Sequence, residues 1–242
     1  MARAIARDAG AESGSRFLEI GAGLGSLTVA LADAGASVLA VETDARLVPA
    51  LREAVEGLDV RVLQADALEL DWREVLGEGE WKMASNLPYN VGTTLVLDLL
   101  EDAPSVDPMT VMVQREVGER LAAAAGSGAY GAVSLKVAYR ATVRVVRRVR
   151  PSVFWPEPAV ESVVVRLDRR SPPVDVPAEE LFRLVDAGFA QRRKTLASAL
   201  VRLGLARDDA RDALVRAGLD PRVRAEALDL EAFGRVAEAV RG

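Results

Sequence analysis

The first two-thirds of the chain alternates short runs rich in Val, Leu and Ile with longer amphipathic stretches. This alternation is typical of a parallel sheet covered by helices. The predicted strands are Phe17–Ile20, Val38–Glu42, Val60–Gln64, Lys82–Ser85, Thr110–Gln114 and Val163–Leu167. The predicted helices are Ser26–Ala34, Ala45–Val55, Thr93–Leu100 and Glu116–Ala124. Tyr130–Arg148 is also predicted to be ordered, with a helical start and a β-branched end, but the pattern does not fix its type.

The pattern changes after the last predicted strand. Pro172, Pro173 and Pro177 interrupt regular structure and mark a linker. Helical periodicity then continues to the end, over Ala178–Ala190, Thr195–Leu203, Arg207–Ala217 and Leu230–Val240. We therefore predict an α/β domain over residues 1–168 and a small all-helical domain over residues 169–242.

Composition removes several classes of chemistry. The 242 residues contain neither cysteine nor histidine, which excludes disulfides, thiolate nucleophiles, Ser-His-Asp hydrolysis and metal sites built on these residues. We predict no metal site. No apolar run approaches the roughly 20 residues that span a bilayer, and the N-terminus lacks the apolar core of a secretory signal. We expect a cytoplasmic protein without a membrane partner.

Charge is unevenly distributed. The net charge of −5 argues mildly against a nucleic-acid partner. Between Met112 and Arg150, however, eight cations stand against two acids, which indicates a basic face that includes Arg144, Arg147 and Arg148. Arg192, Arg193 and Lys194 form a second cluster in the helical region. The alternative for both stretches is a set of scattered, solvated cations.

A glycine-rich loop follows the first predicted strand and opens a helix. Glu19-Ile20-Gly21-Ala22-Gly23-Leu24-Gly25 has the spacing G-x-G-x-G, whereas the dinucleotide fingerprint is G-x-G-x-x-G. The shorter spacing is associated with S-adenosylmethionine sites, and its glycines let a ligand approach the backbone. The alternative is a tight strand–helix turn without a ligand.

Two acids end the next two strands. Glu42 is suited to accept hydrogen bonds from ribose hydroxyls, and Asp66 from an adenine amine. Each acid alone is more often a helix cap or a loop residue. Ligands of open α/β sheets bind beyond the carboxyl ends of the strands, so the three consecutive strand ends together favour a nucleoside site.

The fourth strand ends in Ser85-Asn86-Leu87-Pro88-Tyr89. Pro88 forces a turn at the edge of the sheet. The Asn86 side-chain oxygen and the Leu87 carbonyl are suited to accept the N–H groups of an adenine amine, while Tyr89 stacks on the flipped base. Phe154, in a proline-stiffened loop, offers a second stacking face. The alternatives are an Asx-type turn with a buried tyrosine, and a plain edge segment.

The chain resembles a known family through EIGAGLGSLT, QADAL, SNLPYN, VQREVGERLAA, YGAVSL, FWPEPAVESVVVRL and FAQRRKTL. These runs are similar to those of the small-subunit ribosomal RNA adenine N6,N6-dimethyltransferases, in the same order over nearly the whole chain. The resemblance implies a Rossmann-like class I methyltransferase sheet with a helical C-terminal domain that binds rRNA. It also implies methyl transfer from S-adenosylmethionine to N6 of two adjacent adenosines in the 3′-terminal hairpin of 16S rRNA, during assembly of the small subunit.

The resemblance and the residue chemistry together predict three groups of site residues. The cofactor residues are Glu19, Gly21, Ala22, Gly23, Leu24, Glu42, Thr43, Asp66, Ala67 and Asn86. The catalytic residues are Asn86, Leu87, Pro88, Tyr89 and Phe154. The RNA-binding residues are Arg144, Arg147, Arg148, Arg192, Arg193 and Lys194.

Rival interpretations remain open at this stage. One is a macrolide-resistance methyltransferase of 23S rRNA, since that group shares the N-x-P-aromatic motif. Another is a nicotinamide oxidoreductase, which the glycine spacing disfavours. The third is a catalytically impaired assembly factor. Family members begin with a basic leader containing Gln-Asn-Phe-Leu, and Met1 falls inside the helix that should follow it. We therefore expect weak cofactor binding and slow turnover from this chain. We expect it to act on the immature small subunit as a monomer.

Overall fold

The structure, a computed structural model, describes residues 1–88, 91–155 and 157–241. The chain divides into two compact units. The first comprises Met1–Gly118 and Thr142–Arg169, and the second comprises Glu119–Ala141 and Arg170–Gly242. The second unit thus includes Glu119–Ala141, which the sequence prediction assigned to the first domain.

A seven-stranded sheet forms the framework of the first unit. Its strands follow the order β3-β2-β1-β4-β5-β7-β6. They are β1 (Arg16–Ile20), β2 (Ser37–Glu42), β3 (Val60–Gln64), β4 (Trp81–Asn86), β5 (Val106–Gln114), β6 (Ala141–Val149) and β7 (Ser162–Arg169). The predicted fold class is present, and β6 accounts for the β-branched end of the segment whose type the sequence left open.

The sheet is mixed rather than entirely parallel. Strands β3, β2, β1, β4 and β5 pair in parallel, but β7 pairs with β5 antiparallel, with Val165 opposite Val111. The prediction of a parallel sheet was therefore wrong for β7. A parallel connection needs a crossover, usually a helix, and the described residues between β6 and β7 contain only a 3₁₀ turn at Pro151–Val153.

Helices cover the sheet of the first unit. They are α1 (Ala2–Asp8), α2 (Ser26–Ala32), α3 (Val48–Ala54), α4 (Trp72–Leu76), α5 (Gly92–Asp102) and the first part of α6 (Arg115–Leu121), whose last three residues belong to the second unit. Phe17 and Leu18, which point to opposite faces of β1, are both fully buried, as expected for a sheet covered on two sides. A Cβ atom on Gly118 would collide with Val163, so glycine allows close packing of α6 on β7.

The second unit is helical and has its own core. Its helices are α7 (Ala132–Arg140), α8 (Ala178–Phe189), α9 (Leu196–Arg202), α10 (Arg207–Arg216) and α11 (Leu230–Arg241). The hydroxyls of Tyr130 and Tyr139 donate to the carbonyls of Leu228 and Val176, each at 2.8 Å. These buried tyrosines explain why Glu119–Ala141 belongs to this unit, because their polar and apolar parts are both satisfied there.

Within the described ranges, no helix is long and apolar enough to cross a membrane. The same residues contain no cluster of three acids that could hold a metal ion.

Candidate active site

The loop between β1 and α2 follows a left-handed path. Gly21, Gly23 and Gly25 have φ values of +73°, +58° and +84°, a region that residues with a Cβ rarely adopt. A Cβ on Gly21 would lie 3.3 Å from Cδ of Pro88, whereas one on Gly23 would meet no atom within 4 Å. The loop therefore packs against the turn after β4 and leaves open space beside Gly23.

That space belongs to a cavity of about 490 Å³ at the carboxyl end of the central strands. Six of the predicted cofactor residues line it: Glu19, Gly21, Ala22, Gly23, Leu24 and Asn86. Phe154, predicted to stack on the target base, lines it too. The sequence did not indicate the contributions of Ile5, Met112, Val153 and Trp155.

Glu19 is the most unusual group in this cavity. Its side chain is 1% exposed, and its Oε2 atom has no hydrogen-bond partner among the described residues. Burial raises the pKa of Glu19 from 4.5 to about 8, the nearby Thr28 hydroxyl partly offsets this effect, and the charge of Glu42 adds to it. A buried, unpartnered carboxyl oxygen beside a cavity favours a cationic or hydrogen-bond-donating ligand.

A second cavity, of about 170 Å³, lies next to the first. It is lined by the remaining predicted cofactor residues, Glu42, Thr43, Asp66 and Ala67, together with Gly21, which also lines the larger cavity. Glu42 is buried and accepts from the N–H groups of Gly23 at 2.7 Å and Asp44 at 2.8 Å. These bonds fix its carboxylate, while each oxygen keeps a further lone pair for a ligand.

The two carboxylate oxygens of Asp66 differ in their contacts. Its Oδ1 atom accepts from the N–H of Leu68 at 3.0 Å, which is the loop turn that the sequence alternative described. Its Oδ2 atom makes no hydrogen bond within the described part of the chain, and the residue is exposed at the smaller cavity. Leu68, Val91 and Leu95 add apolar walls that the sequence did not predict.

The two cavities together fit S-adenosylmethionine. The smaller one offers apolar walls and two carboxylates, which suit an adenine ring and a ribose. The larger one offers the unpartnered oxygen of Glu19 and the open backbone at Gly23, which suit the cationic methionine end. Gly21 lines both cavities, at the point where an elongated ligand would pass from one to the other.

The turn after β4 is held by the neighbouring strands. Ser85 Oγ accepts from the N–H of Ile20 at 2.9 Å, and the Leu87 N–H donates to the Met112 carbonyl at 3.0 Å. Asn86 is exposed at the larger cavity, whereas the Leu87 side chain is buried and lines neither cavity. Pro88 lines the smaller cavity. Tyr89, predicted to be catalytic, lies outside the described residues.

Comparison with known proteins identifies the family. Residues 2–241 match the family described as "Ribosomal RNA adenine dimethylase". The chain belongs to this family. Proteins named "Ribosomal RNA small subunit methyltransferase A" match it at 44% identity in Thermobifida fusca and 41% in Arthrobacter sp. strain FB24. Both matches cover 98% of this chain, and they cover 84% and 82% of those proteins.

Solved structures give the same fold class. A dimethyladenosine transferase from Plasmodium falciparum superposes with a TM-score of 0.80 at 24% identity, covering 97% of this chain and 93% of that one. The 23S rRNA methyltransferase ErmE superposes with a TM-score of 0.74 at 26% identity, covering 100% and 97%. The predicted family and the predicted α/β fold with a helical C-terminal part are confirmed.

The arginines predicted to bind RNA differ in whether their charge is already paired within the fold. In the first unit, Arg147 forms a two-point ion pair with Asp8, at 2.6 and 2.9 Å. Arg144 lies 3.8 Å from Asp168. Arg148 is exposed, and its guanidinium group has no ion pair or hydrogen bond within the described residues. Much of the positive charge counted in the sequence is therefore neutralised within the fold.

The second cationic cluster, Arg192, Arg193 and Lys194, also contains both bonded and unbonded side chains. Arg192 donates to the Tyr130 carbonyl at 3.1 Å and lies 3.8 Å from Glu226. Arg193 and Lys194 are exposed, and no residue in the described ranges pairs with the charged group of either side chain. Arg192 therefore contacts residues of its own unit and stabilises it, whereas its two neighbours are exposed to solvent.

Proposed function

We propose that this chain transfers methyl groups from S-adenosylmethionine to N6 of two adjacent adenosines near the 3′ end of 16S rRNA. The observation that carries the proposal is that Asn86 and Phe154 line one cavity with Glu19, one of whose carboxyl oxygens has no partner among the described residues, and with the glycine loop. One cavity thus combines a hydrogen-bond acceptor for the target amine, an aromatic ring for the target base and a site for the cationic methyl donor.

The cofactor would be held by both cavities. Glu42 would accept the ribose hydroxyls and Asp66 the adenine amine, between the apolar walls of the smaller cavity. Glu19 and the backbone of Gly21 and Gly23 would bind the methionine end. When bound, S-adenosylmethionine supplies an electrophilic methyl group on its sulfonium centre.

The protein's own contribution is to orient the target amine. The lone pair of an adenine amine is delocalised into the ring, so the amine is a poor nucleophile. Asn86 Oδ1 and the Leu87 carbonyl would accept its two N–H groups and favour a localised lone pair. The bond from the Leu87 N–H to the Met112 carbonyl holds the Asn86–Leu87 peptide unit, which joins the residues that carry these two acceptors, and Phe154 would stack on the flipped base.

No protein base is required before attack. The chain contains no histidine, and the nitrogen becomes strongly acidic only after it gains the methyl group. Its surplus proton can then leave to water. The role of Tyr89 in stacking on the flipped base stays a prediction from the sequence.

The small subunit is favoured over the large one by the named relatives. The proteins at 41–44% identity carry the small-subunit name, whereas the 23S enzyme ErmE is 26% identical. We further propose that the chain acts as a monomer on the immature small subunit, which would locate it in the cytoplasm. Arg148, Arg193 and Lys194 are the predicted RNA contacts left exposed without a partner among the described residues.

A methylation assay tests the function directly. Small subunits that lack dimethyladenosine, and large-subunit RNA as the control, are incubated with the protein and methyl-labelled S-adenosylmethionine. We expect label in 16S rRNA, recovered as N6,N6-dimethyladenosine. Label in 23S rRNA would support the macrolide-resistance alternative, and no label in either RNA would support the impaired assembly factor.

Substitution of Asn86 tests the catalytic assignment. Asn86→Ala removes the side-chain acceptor and should lower kcat by at least about 100-fold, the usual effect of losing one preorganised polar contact to the reacting group. The dissociation constant for S-adenosylmethionine should change little. Asn86→Asp keeps an acceptor oxygen and should retain more activity than alanine. Equal activity of the alanine variant and the unsubstituted protein would contradict the assignment.

A further inference from the structure

Trp155 stands out among the exposed apolar residues. Its side chain is 97% exposed, the highest value for a large apolar residue in the described part of the chain. The other two tryptophans are covered. Trp72 is 3% exposed, and Trp81 donates its Nε1–H to the Leu76 carbonyl while Arg16 lies 4.7 Å from the centre of its ring. An indole ring normally buries most of its surface, so the exposure of Trp155 indicates a missing partner.

The exposed indole lies at the candidate active site. Trp155 lines the same cavity as Asn86 and Phe154. Three further apolar residues of this cavity are also exposed, Leu24 at 62%, Val153 at 46% and Met1 at 42%. Phe154, in contrast, is half-buried. A partner of Trp155 would therefore lie beside the space that Asn86 and Phe154 offer to the target base, but farther out toward solvent.

The charge of the adjoining chain favours a nucleic acid over an apolar partner. Arg148 and Arg150 lie within seven residues of Trp155, and both are exposed. Neither guanidinium group forms an ion pair or a hydrogen bond with any residue that the structure describes. Exposed aromatic rings combined with free cations are typical of surfaces that bind single-stranded nucleic acid, where a base stacks on the ring and the cations meet phosphates.

We propose that Trp155 stacks on the base of the nucleotide next to the target adenosine. The proposal rests on the proposed RNA substrate. When an adenosine leaves its stack to enter the active site, its neighbour loses a stacking partner. The indole of Trp155 replaces that partner, lowers the free energy needed to expose the target, and keeps the second of two adjacent adenosines at the mouth of the cavity.

Fluorescence offers a direct measurement, because Trp155 is the one solvent-exposed tryptophan of the three. The full chain is titrated with a short unstructured oligoribonucleotide that contains two adjacent adenosines. We expect quenching of the emission on binding, and no such quenching in Trp155→Phe. Trp155→Phe should retain most of the affinity, since a phenyl ring still stacks. Trp155→Leu, which is apolar but not aromatic, should bind as weakly as Trp155→Ala.

A thermodynamic cycle identifies the partner of the indole. A second oligoribonucleotide lacks one of the two adenine bases and keeps its backbone. In the unsubstituted protein, removal of this base should weaken binding by roughly 5- to 150-fold, the usual value of one base–aromatic stack. In Trp155→Ala, the same removal should change the affinity less than about 2-fold. Val215→Ala, which removes an exposed apolar side chain from α10, is the matched control and should leave both affinities unchanged.

Two results would overturn the proposal. One is an equal effect of base removal in the unsubstituted protein and in Trp155→Ala, because the indole would then contact something other than the neighbouring base. The other is unchanged emission on binding. Both readouts measure binding, so they decide the role of Trp155 even if the methylation assay excludes the proposed reaction.

Discussion

Replacement of Glu19 by glutamine tests whether one buried carboxyl group sets the pH dependence of folding stability. Burial raises the pKa of Glu19 from 4.5 to about 8 in the folded protein. At neutral pH the folded chain therefore keeps a proton on Glu19, whereas the unfolded chain has lost it. Glutamine resembles the protonated form in shape and cannot ionise, so it removes this difference between the two states.

The sign and size of the effect follow from proton linkage. Below about pH 4.5 both states are protonated, and Glu19 causes no pH dependence. Between 4.5 and about 8 the folded state binds more protons, so the free energy of unfolding falls as pH rises, by about 1.4 kcal/mol per pH unit. Over that interval of about 3.5 pH units the loss approaches roughly 5 kcal/mol, and above pH 8 the effect levels off.

Urea unfolding at several values between pH 5 and pH 9 measures this slope. We expect the free energy of unfolding of Glu19→Gln to be close to that of the unsubstituted protein at pH 5 and higher by several kcal/mol at pH 9. Glu53→Gln, at an exposed position of α3, is the matched control and should reproduce the unsubstituted curve. Parallel curves for the protein and Glu19→Gln would refute the argument.

Binding of the cofactor should release the proton that Glu19 carries at neutral pH. A cationic ligand beside Glu19 favours the ionised carboxylate, so binding of S-adenosylmethionine at pH 7 should release close to one proton. Calorimetric titrations in two buffers with different ionisation enthalpies count the released protons. Glu19→Gln should release fewer and bind more weakly. Equal proton release by the two proteins would mean that the cofactor does not reach Glu19.

Three further predictions concern cofactor binding, RNA binding and folding stability. Glu42→Gln turns one acceptor oxygen into a donor and should weaken S-adenosylmethionine binding by about 1–3 kcal/mol in calorimetry, and an unchanged affinity would assign the ribose contact elsewhere. The double substitution Arg193→Ala/Lys194→Ala should flatten the slope of log affinity for RNA against log salt by about 0.7–0.9 per lost phosphate contact. Arg192→Ala should instead lower the free energy of unfolding, because it loses the bond to Tyr130, and an unaltered slope in the double variant would show that RNA binds elsewhere.

The sequence could indicate which residues lie at the carboxyl edge of the sheet, because strand ends carry their own signals. A largely apolar run followed by glycines, an acid or a proline marks the carboxyl edge of a sheet, and the loop after β1, Glu42, Asp66 and Asn86 all lie at such strand ends. All ten predicted cofactor residues line one of the two cavities. Their roles stay predictions, as does the role of Tyr89.

Features that depend on distant partners could not be predicted. Arg147 contributes to the cation count of the sequence, but its partner Asp8 is 139 residues away. The boundary between the units likewise depends on contacts of Tyr130 and Tyr139 with the C-terminal helices. The antiparallel direction of β7 could not be predicted from the sequence either, because a β-branched run has the same pattern in a parallel and in an antiparallel strand.

The bonds around the site explain which parts are rigid and which are left for substrate. The Gly21 N–H donates to the Val41 carbonyl at 2.8 Å, and other strand-end bonds hold the acids and the turn after β4. Catalysis needs donor and acceptor held at short range, which favours such fixed backbone. Asn86 and Trp155 are exposed beside this fixed framework. An RNA that brings its own adenine and neighbouring base would complete the site, so the framework needs to be rigid mainly toward the cofactor.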